Sequence, residues 1–378
     1  MNRSLLRNRS LLLASLAAVV VSPTFGEPNE TLEETVARVC QPLVDNRTVV
    51  GMSVGVIRGD ERHVADFGWI AKDLPVTPIG QAIYEVGGIT KVFTGVLLAE
   101  AVLDGRLDLD QPIAELLPED VNAPAGPGGE AIHLVHLATH SSGLPRLPTN
   151  LPTLWTRFTP PYADYTVERL YDFLDGHELS RAPSTVSEYS NLGGGLLGHL
   201  LALNAEKPYG ELLAEKITGP LGMGDTVVEL SDEQAARLAA PHTEERRAAP
   251  NWPSGALVGA GGVHSTAGDL LTFAAACIDP PPSPVGDAIE LAMTKHQAVL
   301  PRPDGEEDNA MGLAWQLIAD GHTHWHNGGT GGYWAMLIVS RSADRAVVVL
   351  ANTATAEVDR LAFDLFKETR VVRSRSGR

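Results

Sequence analysis

Near each end of the chain, apolar residues alternate or run together over segments of the length typical of β-strands. The predicted strands are 49–57, 63–70, 311–318, 333–340 and 346–352. Two amphipathic segments, 30–43 and 357–369, have apolar residues at helical spacing and are predicted to be helices beside these strands. The pattern predicts an antiparallel sheet that is built from both ends of the chain and flanked by the terminal helices.

The residues between these strands favour helices. Helical spacing covers the segments 91–104, 132–139, 167–174, 192–203, 209–217 and 266–277. Proline-rich connectors at 118–129, 145–161, 280–286 and 301–308 are predicted to be surface loops, because the fixed φ of proline suits turns and loops.

We therefore expect an α/β (α+β) fold. Residues 27–86 and 311–378 form the sheet region, residues 87–310 form a large inserted helical region, and the two together make one domain. A site is expected where the two regions meet.

The first 26 residues have the pattern of a secretory signal peptide. Arg3, Arg7 and Arg9 give a positive start, an apolar stretch spans 11–21, and small residues follow at 22–26. Eleven apolar residues are too few to cross the hydrocarbon core of a bilayer. We expect cleavage near Gly26 and an exported product, periplasmic or secreted, with no stable membrane span.

Composition removes several function classes. The chain has 378 residues, with 29 Lys and Arg against 47 Asp and Glu, and a formal net charge of −18. Nucleic-acid binding needs clustered positive side chains, so no nucleic-acid partner is expected. Cys40 and Cys277 are too few for a disulfide framework or a four-cysteine zinc site, and their spacing does not decide whether they pair. No pattern in the sequence predicts an oligomeric state.

Three short segments carry the candidate chemistry. In residues 84–94 an extended run reaches two glycines and turns into a helix, which places Gly88 and Lys91 on one face of the first turn, where unpaired N–H groups favour anions. Residues 188–193 read Glu-Tyr-Ser-Asn-Leu-Gly before a predicted helix. Residues 326–333 read His-Asn-Gly-Gly-Thr-Gly-Gly-Tyr before a predicted strand.

In order and spacing, these segments resemble the motifs of the serine β-lactamase and penicillin-binding-protein superfamily: Ser-x-x-Lys, Tyr-x-Asn, and Lys-Thr-Gly or its His-x-Gly variant. The resemblance is to class C β-lactamases and the related DD-peptidases and esterases, and family-like stretches also lie at 137–145, 220–223 and 260–266. It implies a β-lactamase/transpeptidase-like fold and a hydrolase of amides or esters of the β-lactam, D-Ala-peptide or ester type. It also implies a small-molecule or peptide ligand and no cofactor.

One residue departs from the family's pattern. Gly88 stands where the family has its nucleophilic serine, and a residue without a hydroxyl cannot form an acyl-enzyme. Thr90 is no substitute, because it points about 200° around the helix from residue 88. We expect ordinary acyl-enzyme chemistry to be lost at this position.

The resemblance also implies roles for the remaining motif residues. Lys91 would be a base that burial tunes toward its neutral form, and Tyr189 a second proton-transfer group whose pKa nearby cations lower. Asn191 would contact the substrate amide, cap the following helix, or do both. His326 replaces a fixed positive lysine by a mostly neutral imidazole, so a substrate carboxylate would be held less firmly.

The glycine-rich segment after His326 would bind substrate through Gly328, Gly329 and Thr330. The N–H groups of Gly329 and Gly88 would form the oxyanion hole. His322 and His324 alternate with His326 along a predicted strand, an arrangement that could ligate zinc, but no fourth ligand is placed and no metal site is expected.

Three functional hypotheses remain at this stage. In the first, the truncation to glycine leaves room for a water beside Lys91 and Tyr189, which attacks an ester or amide directly. In the second, the protein is a non-catalytic pseudoenzyme that binds a peptidoglycan-like or lactam ligand. In the third, Gly88 is an engineered or erroneous residue in an ordinary serine hydrolase.

Overall fold

Both ends of the chain meet in one antiparallel sheet. This is the arrangement in the computed structural model of the protein, which describes residues 30–70, 80–151 and 160–370. The strands are β1 (Gly51–Arg58), β2 (Glu61–Gly68), β3 (Ile83–Glu85), β4 (His264–Thr266), β5 (Ala310–Met311), β6 (Gln316–Leu317), β7 (Thr323–Gly329), β8 (Trp334–Ser340) and β9 (Arg345–Ala351). The main sheet has the order β2-β1-β9-β8-β7-β6-β5 with antiparallel neighbours throughout, and β3 pairs with β4 in a small second sheet.

Helices cover both faces of the main sheet. They are α1 (Leu32–Asp45), α2 (Thr90–Leu103), α3 (Leu134–Ala138), α4 (Val167–Asp175), α5 (Asn191–Ala205), α6 (Tyr209–Leu213), α7 (Gly219–Leu221), α8 (Asp232–Ala235), α9 (Val258–Gly261), α10 (Ala267–Ile278), α11 (Pro284–Met293) and α12 (Glu357–Glu368). Short 3-10 turns lie at Gly87–Ile89, Ile113–Glu115 and Gly255–Leu257, and a π turn lies at Ala214–Thr218.

Side chains that alternate in direction along the strands form two hydrophobic cores, one on each face of the sheet. In β8, Met336 and Ile338 pack with α1 and α12, whereas Leu337 and Val339 pack with the helices of the central region. Successive side chains of a strand point to opposite faces, so this continuously apolar strand must be covered on both sides. The predicted fold class, a sheet from both chain ends flanked by terminal helices, is confirmed.

Two local predictions differ from the structure. The segment 311–318 is not one strand but two short ones, β5 and β6, because the chain turns between them, where Gly312 N donates to Trp315 O at 2.8 Å. The predicted connector 280–286 contains the start of α11, with Pro284 in its first turn. Proline is well tolerated there because the first N–H groups of a helix have no intrahelical partner.

Other predictions fall partly or wholly outside the described residues. The predicted signal peptide, 1–26, lies there, as does the middle of the connector 145–161. None of the helices within residues 30–70, 80–151 and 160–370 is long and apolar enough to cross a bilayer.

Cys40 and Cys277 are both buried and free, and they belong to the two different cores.

Candidate active site

The three predicted motifs meet where β7 passes the turn that leads into α2. Strand β3 delivers the chain to the 3-10 turn Gly87–Ile89, and α2 begins immediately after it. Gly87 has a φ of 50°, a conformation that favours glycine. A Cβ on Gly87 would lie 2.8 Å from the nitrogen of Gly329, and a Cβ on Gly328 would overlap the carbonyl oxygen of Val86. These glycines therefore allow β7 to approach the turn closely.

Position 88 is buried, and its neighbours already enclose it. A Cβ built on Gly88 would lie 2.6 Å from the carbonyl oxygen of Asn327, 2.8 Å from Tyr189 Oη and 3.0 Å from His326 Cε1. These distances are shorter than an ordinary van der Waals contact of a methyl group. The Cβ position itself is therefore enclosed by β7 and the tyrosine hydroxyl, and the water expected beside Lys91 and Tyr189 stays a prediction.

Lys91 lies beneath Gly88, fully buried in the first turn of α2. Its Nζ lies 2.8 Å from Tyr189 Oη, 2.8 Å from Asn191 Oδ1 and 2.7 Å from the carbonyl oxygen of Ala260. Burial lowers the pKa of Lys91 well below its ordinary value, and the charge of Arg146 lowers it further. The two N–H bonds of a neutral amine can be donated to Asn191 Oδ1 and to the carbonyl oxygen of Ala260. Its lone pair can then accept the proton of Tyr189 Oη, so the Lys91–Tyr189 pair is arranged to pass a proton.

Tyr189 differs electrostatically from the prediction. Burial raises the pKa of Tyr189, and the nearby charge of Arg146 offsets only part of that rise. The predicted lowering of this pKa is therefore wrong, because desolvation of the phenolate outweighs the charge of Arg146, whose guanidinium lies 5.0 Å from the ring centroid. Tyr189 holds its proton in the resting site.

Helix α5 fixes the second motif. Ser190 is its N-cap, and its Oγ accepts from Gly193 N at 2.8 Å and donates to the carbonyl oxygen of Pro145 at 2.7 Å. The cap is thus Ser190 and not Asn191, which corrects the capping alternative for Asn191. The Asn191 side chain instead bridges Lys91 Nζ and Tyr162 Oη, to which its Nδ2 donates at 3.0 Å.

His326 presents one unused nitrogen beside Gly88. Its Nδ1 lies 2.6 Å from the carbonyl oxygen of Asn327, an atom that only accepts, so in the neutral ring Nδ1 carries the proton and Nε2 has the free lone pair. Nε2 is buried without a hydrogen-bond partner in the described chain. Burial, and after it the charge of Lys91, lowers the pKa of His326 to about 3.

His322 and His324, which precede the third motif, do not lie beside His326 at the site. His324 Nε2 lies 2.8 Å from the carbonyl oxygen of Met293, and His322 is exposed and precedes β7. Among the described residues, no group of three or more His, Cys, Asp or Glu side chains is arranged to hold a metal ion.

Backbone and hydroxyl groups complete the site. Gly88 N donates none of the turn, loop, cap or side-chain hydrogen bonds of the described chain, so it is available to an incoming oxygen. Thr330 lies in the turn after β7, where its N donates to Tyr333 O at 3.1 Å and its Oγ1 is buried without a partner in the described structure. Thr90 Oγ1 is already used, because it accepts from Val263 N at 3.1 Å.

Gly88, Tyr189, Asn191 and Thr330 line a cleft with a volume of about 390 Å³. Sequence analysis missed several residues of its lining, which come from loops and the sheet edge: Arg146, Tyr162, Trp252, Ser254, Gln316 and Trp334. Glu85, at the end of β3, holds one of them in place, because its Oε1 accepts from Trp252 N at 2.8 Å and from Asn251 Nδ2 at 2.9 Å. In the sequence, the only local indication of the Trp252 side of the cleft was a glutamate, Glu85, close to Gly87 and Gly88.

Comparisons with known proteins agree with the motifs. The family described as Beta-lactamase matches residues 36–367. The D-alanyl-D-alanine-carboxypeptidase/endopeptidase AmpH of Escherichia coli (strain K12) is 33% identical over 273 residues, which cover 72% of this chain and 69% of that protein. A β-lactamase of Pseudomonas fluorescens is 24% identical over 358 residues, covering 87% of this chain and 96% of its own length.

Solved structures share the fold. The β-lactamase/D-alanine carboxypeptidase from Yersinia pestis, in a complex with citrate, superimposes with a TM-score of 0.75 at 24% identity over 89% of this chain and 98% of that one. A class C β-lactamase superimposes with the same TM-score of 0.75 at 20% identity. At these identities the likeness speaks for the fold.

Proposed function

This chain belongs to the β-lactamase family, and we propose that it is an exported protein that binds an amide or ester ligand without forming an acyl-enzyme. The ligand is of the β-lactam, D-Ala-peptide or ester type and occupies the cleft beside Gly88. The observation that carries the proposal is that residue 88 has no hydroxyl and that β7 and Tyr189 Oη lie within 3 Å of where its Cβ would be.

The binding half of the site supports retention of a ligand. Gly88 and Gly329 line the cleft, and the N–H groups of two such residues would stabilise a carbonyl oxygen. The Thr330 hydroxyl has no partner among the described residues, so a ligand group that meets it relieves a buried unpaired atom. Lys91 and Asn191 are already ordered by their mutual hydrogen bond, which reduces the entropy lost on binding.

The motif hydroxyls of Thr90, Ser190 and Tyr189 do not replace the missing serine. Thr90 and Ser190 use their hydroxyl oxygens in structural hydrogen bonds. Tyr189 keeps its proton because burial raises its pKa, while Lys91, the base beside it, has a lowered pKa. Proton transfer from this phenol to this amine is therefore uphill, which makes the tyrosine a poor nucleophile.

A second candidate function is slow hydrolysis by water. The unpartnered Nε2 of His326 favours it, because this nitrogen belongs to a ring that lies 3.0 Å from the Cβ position of residue 88 and can accept a proton from a water. Burial lowers the pKa of His326 to about 3, so it is a weak base and the route is slow. This route needs no covalent intermediate. It predicts turnover that disappears in His326→Gln.

Calorimetric titration with N-acetyl-D-Ala-D-Ala and with benzylpenicillin tests the proposal. The native protein should bind at least one of them reversibly, and the ligand should be recovered chemically intact after denaturation. Ser254→Trp should weaken binding by filling the cleft, while the matched Ser254→Ala should not. Recovery of hydrolysed ligand supports the second candidate, and no binding at millimolar concentration contradicts the proposal.

Export is tested separately. If the predicted signal peptide acts as proposed, the protein expressed with its full sequence should appear in the periplasmic or culture fraction with an N-terminus near residue 27. A protein retained in the cytoplasm with its first 26 residues still attached would contradict this part of the proposal.

A further inference from the structure

Arg146 is the one charged side chain among the described residues that line the cleft. It follows Pro145 in the loop after α3, and it is exposed. Its guanidinium lies 5.0 Å from the centroid of the Tyr189 ring, a cation–π contact with the residue that is hydrogen-bonded to Lys91. Arg146 therefore lies in the cleft lining in contact with the Tyr-Ser-Asn motif.

The guanidinium of Arg146 forms no ion pair or hydrogen bond with any other residue of the described chain. An arginine carries five N–H donors in a planar fork that matches the two oxygens of a carboxylate. Although the protein has a net charge of −18, none of the described residues that line the cleft is acidic. The donors are open to a ligand.

The backbone around Arg146 is held rigidly. Its carbonyl oxygen accepts from Asn191 N at 3.0 Å and from Leu192 N at 3.3 Å, at the start of α5. The preceding carbonyl, of Pro145, accepts from Ser190 Oγ at 2.7 Å. The loop is thus fastened to the Tyr-Ser-Asn motif, and the arginine has a fixed origin relative to Tyr189 and Asn191.

On the β7 side of the cleft, the nearby charged group is a carboxylate. The Asp359 carboxylate accepts from Asn327 Nδ2 at 2.7 Å and from Trp334 Nε1 at 2.6 Å, directly behind two residues of the lining. A ligand anion is therefore attracted toward Arg146 and is disfavoured at the β7 side.

From this arrangement we infer that Arg146 determines specificity by binding a carboxylate of the ligand on the Tyr189 side of the cleft, away from β7. The inference rests on the proposed function for the identity of the whole ligand, but the carboxylate site itself is defined by Arg146. Ligands with a carboxylate at this position are selected over neutral analogues.

Two matched pairs of probes test the inference: succinate against succinamide, and N-acetyl-D-Ala-D-Ala against its C-terminal amide. Binding is followed by NMR chemical-shift titration of the native protein and of Arg146→Gln, Arg146→Lys and Arg360→Gln. Arg360 is an exposed arginine of α12 with the same charge and no place in the cleft lining.

The native protein and Arg360→Gln should prefer the carboxylate of at least one pair by about tenfold or more, the value of a charge-assisted hydrogen bond. Arg146→Gln should lose this preference, and Arg146→Lys should keep only part of it. A purely structural role for Arg146 would weaken both members of a pair equally. Unchanged preference in Arg146→Gln, or no preference in the native protein for either pair, overturns the inference. Succinate binding that depends on Arg146 without any binding of the dipeptides contradicts the proposed function and leaves the inference intact.

Discussion

Gly88→Ala adds a single methyl group at the centre of the site. The new Cβ would lie 2.6 Å from the carbonyl oxygen of Asn327 and 2.8 Å from Tyr189 Oη, whereas ordinary contact begins near 3.4 Å. The backbone of β7 must therefore retreat by about 0.8 Å, and the tyrosine must move against its hydrogen bond to Lys91. Such overpacking costs about 1–3 kcal/mol.

The loss of glycine's freedom in the unfolded chain offsets part of that cost, by about 0.4–1 kcal/mol. We therefore expect Gly88→Ala to lower the free energy of unfolding by about 1–2 kcal/mol in urea denaturation followed by tryptophan fluorescence. Gly224→Ala is the matched control, because a Cβ there meets nothing within 4 Å, and it should be neutral or slightly stabilising. If Gly88→Ala is as stable as the control, the space at residue 88 is open and β7 does not enclose it.

Three further predictions follow from the same contacts. Gly88→Ser, in which β7 must shift to accommodate the side chain, should be labelled covalently by a fluorescent penicillin on a denaturing gel. Adding Lys91→Met should abolish the label because the base is lost. The pKa of His326 is about 3 in the folded protein and about 6.5 when unfolded, so the unfolded state takes up the proton first and stability falls as the pH drops below 6.5. Between pH 7 and pH 5, urea titrations should show His326→Gln losing about 2 kcal/mol less than the native protein. Glu85→Ala should raise the Kd of a cleft ligand by leaving Trp252 N unpaired, whereas Glu85→Gln keeps an acceptor and should bind as the native protein does.

The sheet was predictable because its strands are regular. Both faces of β1, β8 and β9 are covered by helices, so successive residues of these strands are buried and apolar. Such strands appear in the sequence as long apolar runs. The two strands β5 and β6 and the start of α11 were not predictable in the same way. A two-residue strand has no period, and Pro284 marks a helix start only when the residues after it are known to be buried.

The motif residues could be found because each group is local in sequence. Gly88 and Lys91 share one helical turn, and Tyr189 and Asn191 precede one helix. Arg146 and Trp252 could not be found, since they reach the cleft on loops whose positions depend on tertiary hydrogen bonds to α5 and to Glu85. The direction of the Tyr189 pKa also depends on burial, which a loop tyrosine does not reveal in sequence.

Intact-protein mass spectrometry of the native chain after prolonged incubation with benzylpenicillin tests most directly whether the cleft has lost its acyl acceptor. We expect an unmodified mass at a ligand concentration where titration shows the cleft to be occupied, with an acyl adduct only in Gly88→Ser. A stoichiometric adduct on the native protein, mapped by peptide sequencing to Tyr189 or to any other residue of the cleft, would contradict it.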